Sequence, residues 1–116
     1  MKLVHFPILL ISLIGLSACD FLESKEKTYF KCAYVSSHLG QDLANVEITK
    51  GMEAYFQENK LMISSLEALR LSEEVQNDLG LYALNSMGKL KKLIDVYNSS
   101  SCQSLHSQGK ISPDMY

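Results

Sequence analysis

Proline is nearly missing from this sequence. Pro7 and Pro113 are its only two, and neither Asn-Gly nor Asp-Gly, the usual hairpin dipeptides, occurs anywhere. A body of short strands and tight turns would lack its punctuation here, so helices are the expected elements. Charge of one sign is lacking too: eleven basic and thirteen acidic residues leave a formal charge of −2, without the basic footprint of a nucleic-acid binder. At 116 residues the chain has room for one compact domain, which excludes a multidomain enzyme. Catalytic signatures are equally scarce. The chain has no Gly-x-Ser-x-Gly, no His-Glu-x-x-His, no glycine-rich phosphate loop and no Cys-x-x-Cys-His.

What is present begins at the N-terminus. Met1-Lys2 is a short positive stretch, Leu3 to Leu16 is nearly all apolar, and Leu16-Ser17-Ala18-Cys19 follows. An apolar run of about fourteen residues falls short of the roughly twenty that a spanning helix needs, so the segment reads as a cleaved signal peptide. Leu16-Ser17-Ala18-Cys19 resembles the lipobox of bacterial lipoproteins. The resemblance implies that the thiol of Cys19 receives a diacylglycerol, that cleavage precedes it and that the new amine is acylated. Acyl chains at about 0.8 kcal/mol per buried methylene then anchor the chain without a transmembrane helix. Asp20 resembles a sorting signal that favours the inner over the outer membrane. The alternative is an ordinary secretory signal whose Cys19 pairs in a disulfide. Removal of residues 1–18 leaves 98 residues and a net charge of −3.

With Cys19 committed to lipid, Cys32 and Cys102 remain in an oxidising compartment, and a disulfide between them is the expected outcome. Closing so long a loop stabilises a domain by about 4 kcal/mol in the chain-entropy treatment. A sharper alternative joins Cys32 and Cys102 to His38 and His106 as four metal ligands. Cys32 and His38 are about 240° apart around a helix, which disfavours it.

Helical spacing is clearest between Ser72 and Asn98, where Val75, Leu79, Tyr82, Ala83, Met87, Leu90, Leu93, Ile94 and Tyr97 recur at intervals of three and four. This predicts one long amphipathic helix, with Glu73, Glu74 and Asp78 early and Lys89, Lys91 and Lys92 late, the order its dipole favours. Ser64-Ser65-Leu66-Glu67 reads as a capping box, which would move the start to Ser65. Gly80, Ala83, Ser86 and Gly88 place small residues along this helix, open to the approach of another backbone. Upstream, Leu43, Val46, Ile48, Met52, Tyr55 and Phe56 form a second stripe from Asp42, a candidate N-cap, to about Asn59; Gly51 weakens it by about 1 kcal/mol. Tyr29, Phe30, Ala33, Tyr34 and Leu39 line a first helix ending at Gly40, with a short strand over residues 28–35 as the rival.

The expected architecture is all-α: a small three- or four-helix bundle with one disulfide. It divides into a signal peptide (1–18), a lipidated tether (19–27), a helical domain (28–106) and a flexible C-terminal tail (107–116). Neither a catalytic or metal-ligating set nor a cofactor is expected. The leading functional expectation is a membrane-anchored periplasmic lipoprotein whose helical domain binds a protein partner, as an accessory of an envelope complex or an immunity or exclusion protein. The alternative is a binding module for a small apolar or lipid-like ligand, lined by Tyr34, Met52, Phe56 and Met87. An enzyme would need His38 or His106 to meet a carboxylate in a cleft, and Lys89, Lys91 and Lys92 read as a solvated face.

Overall fold

Ser24 opens the first helix of the domain, its hydroxyl accepting the Lys27 N–H at 3.2 Å. The chain is described from residue 23 to residue 116 by a computed structural model. Over those residues it folds as α1 (Lys25–His38), α2 (Asp42–Glu58), α3 (Ser65–Leu79), α4 (Ser86–Tyr97) and α5 (Ser100–Gln103), with single 3₁₀ turns at Leu81–Ala83 and Pro113–Met115. Among the described residues there is no strand, and residues 28–35 are helical. The fold is an all-α bundle closed by one disulfide. Residues 25–27, expected in the tether, form the first turn of α1, because Ser24 supplies the cap.

Helix α1 is the hub, packing against α2, α3, α4 and α5. It ends as expected at Gly40, which takes φ +66°. The N–H groups of Gly40 and Gln41 close onto the carbonyls of Ser37 and Ser36, the paired bonds of a Schellman motif. This reversal lays α2 antiparallel along α1. Asn45 donates to the Ala33 carbonyl at 2.9 Å and to the buried Ser36 hydroxyl at 3.1 Å, while Tyr55 donates to Glu26 at 3.2 Å further down. Between them lies Gly51, where an added Cβ would stand 3.5 Å from the Tyr29 ring. The N-cap of α2 is Gln41, without a side-chain bond, and Asp42 is the first helical residue, placed to favour the dipole. Ala44 and Ile48 turn inward with Met52 and Tyr55 beside them, whereas Leu43 and Val46 of the expected stripe face solvent.

The long helix expected from Ser72 to Asn98 is two helices. α3 starts at Ser65, its Ser64 cap accepting the Glu67 N–H at 3.1 Å, and stops at Gly80 in the left-handed conformation, φ +59°. The chain then makes the 3₁₀ turn, and Asn85 recaps it by accepting the Gly88 N–H at 2.8 Å. The physical reason is length. A straight helix of that span would run about 40 Å against an α1 of about 21 Å, and folding back lets both halves cover the hub. Val75 and Leu79 of α3 and Leu93, Ile94 and Tyr97 of α4 therefore share one core with Val35, Leu39 and Ala44, and Leu71 is buried on the same face of α3. The expected charge order dissolves with the break: Asp78 falls in the last turn of α3, where the dipole disfavours it, and Lys27 compensates from α1 at 2.6 Å. Tyr82, expected in the core, lies in the turn and is 83% exposed. Gly80 and Gly88 serve this break and its cap instead of admitting a neighbouring backbone.

Residues 107–116, expected as a flexible tail, are strapped to the body. Asn98 holds Ile111 by both backbone groups, donating to its carbonyl at 2.8 Å and accepting its N–H at 2.9 Å, and the Ile111 side chain is buried in the core. Tyr116 donates to the Leu39 carbonyl at 2.7 Å and accepts from Gln41 at 3.0 Å. Ile111 is the buried apolar part of this attachment, beside the hydrogen bonds of Asn98 and Tyr116. Ile111→Ala is expected to cost about 2 kcal/mol, at the lower end for a large-to-small core substitution because the site is peripheral. In a domain of this size that lowers the melting temperature by about 10 °C, measured by circular dichroism. No change would mean that the strap contributes nothing.

Candidate functional site

The residues expected to carry the anchor, Cys19 and Asp20, lie outside the described residues. No helix among the described residues is long and apolar enough to cross a membrane. Cys32, on the inner face of α1, and Cys102, on α5, form the disulfide with their Cα atoms 5.4 Å apart. Both residues are buried, packed with Tyr29 and Ile48. The metal alternative on Cys32, His38, Cys102 and His106 is overturned here, because both thiols are consumed by the bond. Among the described residues no group of three His, Cys, Asp or Glu side chains is placed to hold a metal ion.

The histidines occupy separate settings. His38 stacks on Tyr34 of its own helix with ring centroids 4.1 Å apart, and its Nδ1 lies 3.1 Å from the Tyr34 carbonyl. His106 leans on Tyr97 at 4.9 Å and accepts the Gln108 N–H through Nδ1 at 3.0 Å. The carboxylate nearest to His106 in function is Glu47 of α2, and its oxygens are already occupied. One accepts the Ser107 N–H at 2.6 Å; the other accepts the Ser107 hydroxyl at 2.7 Å and Gln108 at 3.2 Å. These bonds, those to Ser107 first, hold the Glu47 carboxyl below the usual carboxylate range, and the nearby His106 adds to the effect. The group clamps the chain; it does not orient an imidazole. Tyr97, beneath it, is pushed up by burial, and its hydroxyl has no partner among the described residues.

Glu73 and Glu74 part company on α3. Glu74 accepts from Arg70 and lies 3.9 Å from Lys27, while Arg70 also binds Glu67. The Asp78 carboxylate, hydrogen-bonded to Lys27, raises the pKa of that lysine. Lys91 pairs with Asp95 one turn on, at 2.7 Å, as a solvated side-chain pair.

The four residues expected to line one ligand cavity do not meet. Tyr34 and Met52 line a small cleft of about 230 Å³ with Phe30, Ala33, Ser72 and Val75. Met87 belongs to a different and larger groove of about 540 Å³ between α4 and the C-terminal strap. Leu90, Ile94, Ile111 and Pro113 give that groove an apolar floor, and Lys91 and Asp95 stand along it. Three of its ten lining residues, Ile111, Ser112 and Pro113, come from the strap, which local sequence patterns leave unstructured. The only signal for it was the isolated pair Ile111 and Pro113 in a polar stretch. Compared with known proteins, the chain matches no family model, no curated protein and no solved structure.

Acidification should release the Glu47 clamp only below the ordinary carboxylate range. A depressed carboxyl stabilises the folded strap above the ordinary carboxylate range, and the contribution disappears as pH falls through the lowered value. The protection of the Ser107 amide, its exchange rate relative to the intrinsic rate at each pH, should therefore fall in acid while that of α1 is retained. Glu47→Gln should exchange quickly at neutral pH and lose that pH dependence; equal exchange in both proteins would contradict the clamp.

Proposed function

We propose that the protein is a lipid-anchored lipoprotein of the bacterial envelope, held by Cys19 on the periplasmic side of a membrane, and that its helical domain works by binding a protein partner. The inner membrane is the favoured location because of Asp20. The observation that carries the partner reading is the open apolar groove between α4 and the strap. Met87 is 76% exposed at its edge, while the core beneath is filled by Val35, Val75 and Tyr97. Exposed apolar surface with charged side chains at its border is the composition of an interaction patch. The bundle keeps this surface rigid, and anchoring raises its local concentration near a partner in the same membrane.

A second reading rests on the size of the groove, which falls in the range of small-molecule sites. The groove is open along one side, which suits an inserted side chain better than an enclosed small ligand. Met87→Glu tests the use of the groove without disturbing the core, because this residue is exposed, and the identity of what is recovered separates the two readings. Membrane extracts in mild detergent should yield a stoichiometric partner with the wild-type chain and at least about tenfold less with Met87→Glu, a loss of about 1.4 kcal/mol or more. Unchanged recovery of the partner would contradict this use of the groove. Recovery of a bound apolar small molecule in place of a protein would support the second reading.

A further inference from the structure

Helix α3 carries apolar residues on two faces. Leu71, Val75 and Leu79 form the buried one. Leu66 and Leu69 lie about 150° away from it, 80% and 58% exposed, and Met62 just before the helix is 98% exposed. No described part of the chain covers this second face. It ends after one turn, because Glu73 is the next residue on it.

Its position in the fold is the informative feature. The connection from α2 to α3 is fixed by a Schellman closure in which Lys60 takes the left-handed position, φ +52°, and the N–H groups of Lys60 and Leu61 bond the carbonyls of Gln57 and Phe56. This turn delivers Leu61, Met62 and Ile63 next to the start of α1, and together with Ser24 and Glu26 they line one surface hollow. Ser24 is five residues from Cys19, a reach of at most about 18 Å even if fully extended. The opposite end of α1, with the Gly40 turn and Leu43, lies about 21 Å further away.

We propose that Leu61, Met62, Ile63, Leu66 and Leu69 form a rim that enters the headgroup region of the bilayer beside the anchored N-terminus. The inference rests on lipidation at Cys19, because the short tether is what brings this end of the domain to the membrane. Lipid is the occupant the observations favour: the patch is a loop and one helical turn, and it sits where the chain leaves for its anchor. The surroundings are not basic: Lys25, Lys60 and Arg70 stand against Glu26, Glu58, Glu67 and Glu73. Contact is therefore apolar, and it does not require anionic lipid or low salt. With the rim immersed, the domain is held in a defined orientation instead of swinging on its tether.

The chain has no tryptophan, so one introduced indole reports its own surroundings. Met62→Trp and Leu66→Trp would be placed at the rim, and Leu43→Trp at the far end of the bundle as the exposed control. Each full-length, cell-processed protein would be reconstituted into phosphatidylcholine vesicles with and without brominated acyl chains. Labelled palmitate incorporation would be followed in the same preparations. The expected result is blue-shifted emission for M62W and L66W, with quenching by brominated lipid about twofold or more, unaltered by salt, and neither effect for L43W. Labelled protein whose rim indoles behave like the control would overturn the rim and leave the anchor standing. Unlabelled protein that stays in solution would overturn the anchor and the rim with it. Shielding of the rim indoles only in native membranes, and not in pure lipid, would replace lipid with a protein contact.

Discussion

Everything in this fold hangs on the covalent tie between the centre of α1 and the far end of the chain. The Cys32–Cys102 bond spans 70 residues, and both cysteines are buried. A domain of this size has a net stability on the order of 5–14 kcal/mol, so a cross-link contributing about 4 kcal/mol is a large part of the margin. The tie also settles geometry. It holds α5 against α1, so that α3 and α4, folded back over the hub, lie within the loop it closes. That return completes the apolar core of Val35, Val75, Leu79, Ile94 and Tyr97 and brings the strap, with Ile111, onto its edge. The groove between α4 and the strap is a consequence of that path.

Where short-range chemistry decides structure, the sequence was legible. Gly40 in the left-handed cap, Ser64 ahead of Glu67 and the inward face of α3 follow from local rules, and the pairing of the last two cysteines follows from their count once Cys19 is set aside. Periodicity misled across residues 72–98, because apolar spacing stays helical on both sides of Gly80 and does not register where a helix must turn to cover a short neighbour. Gly80 followed five residues later by Asn85 is the stop and restart in retrospect. Tyr82 and Met87 were placed in a core for the same reason, and both face solvent. The strap was illegible for a different reason: its order comes from the Asn98 side chain and from Glu47, partners far away in sequence.

The site was legible only in part. The lipobox pattern at Cys19 rests on residues outside the described part of the chain. The groove draws on α4 and the strap, segments joined by the hydrogen bonds of Asn98 with Ile111, and therefore could not be composed from either segment alone. Conversely, the groups that looked chemically capable in the sequence serve the architecture. Cys32 and Cys102 form the cross-link, His38 stacks on Tyr34 one turn away, His106 leans on Tyr97, and Glu47 fastens the strap. Surfaces remain as the sites left open to solvent: one apolar groove along α4 and one apolar rim beside the start of α1.

The most direct test of a tethered, disulfide-closed bundle is the intact mass of the protein extracted from membranes, with alkylation before and after reduction. The predicted result is a chain beginning at Cys19 that carries acyl mass and takes up alkylating reagent at two further thiols only after reduction. A chain that begins elsewhere without acyl mass, or two thiols that react without reduction, would contradict it.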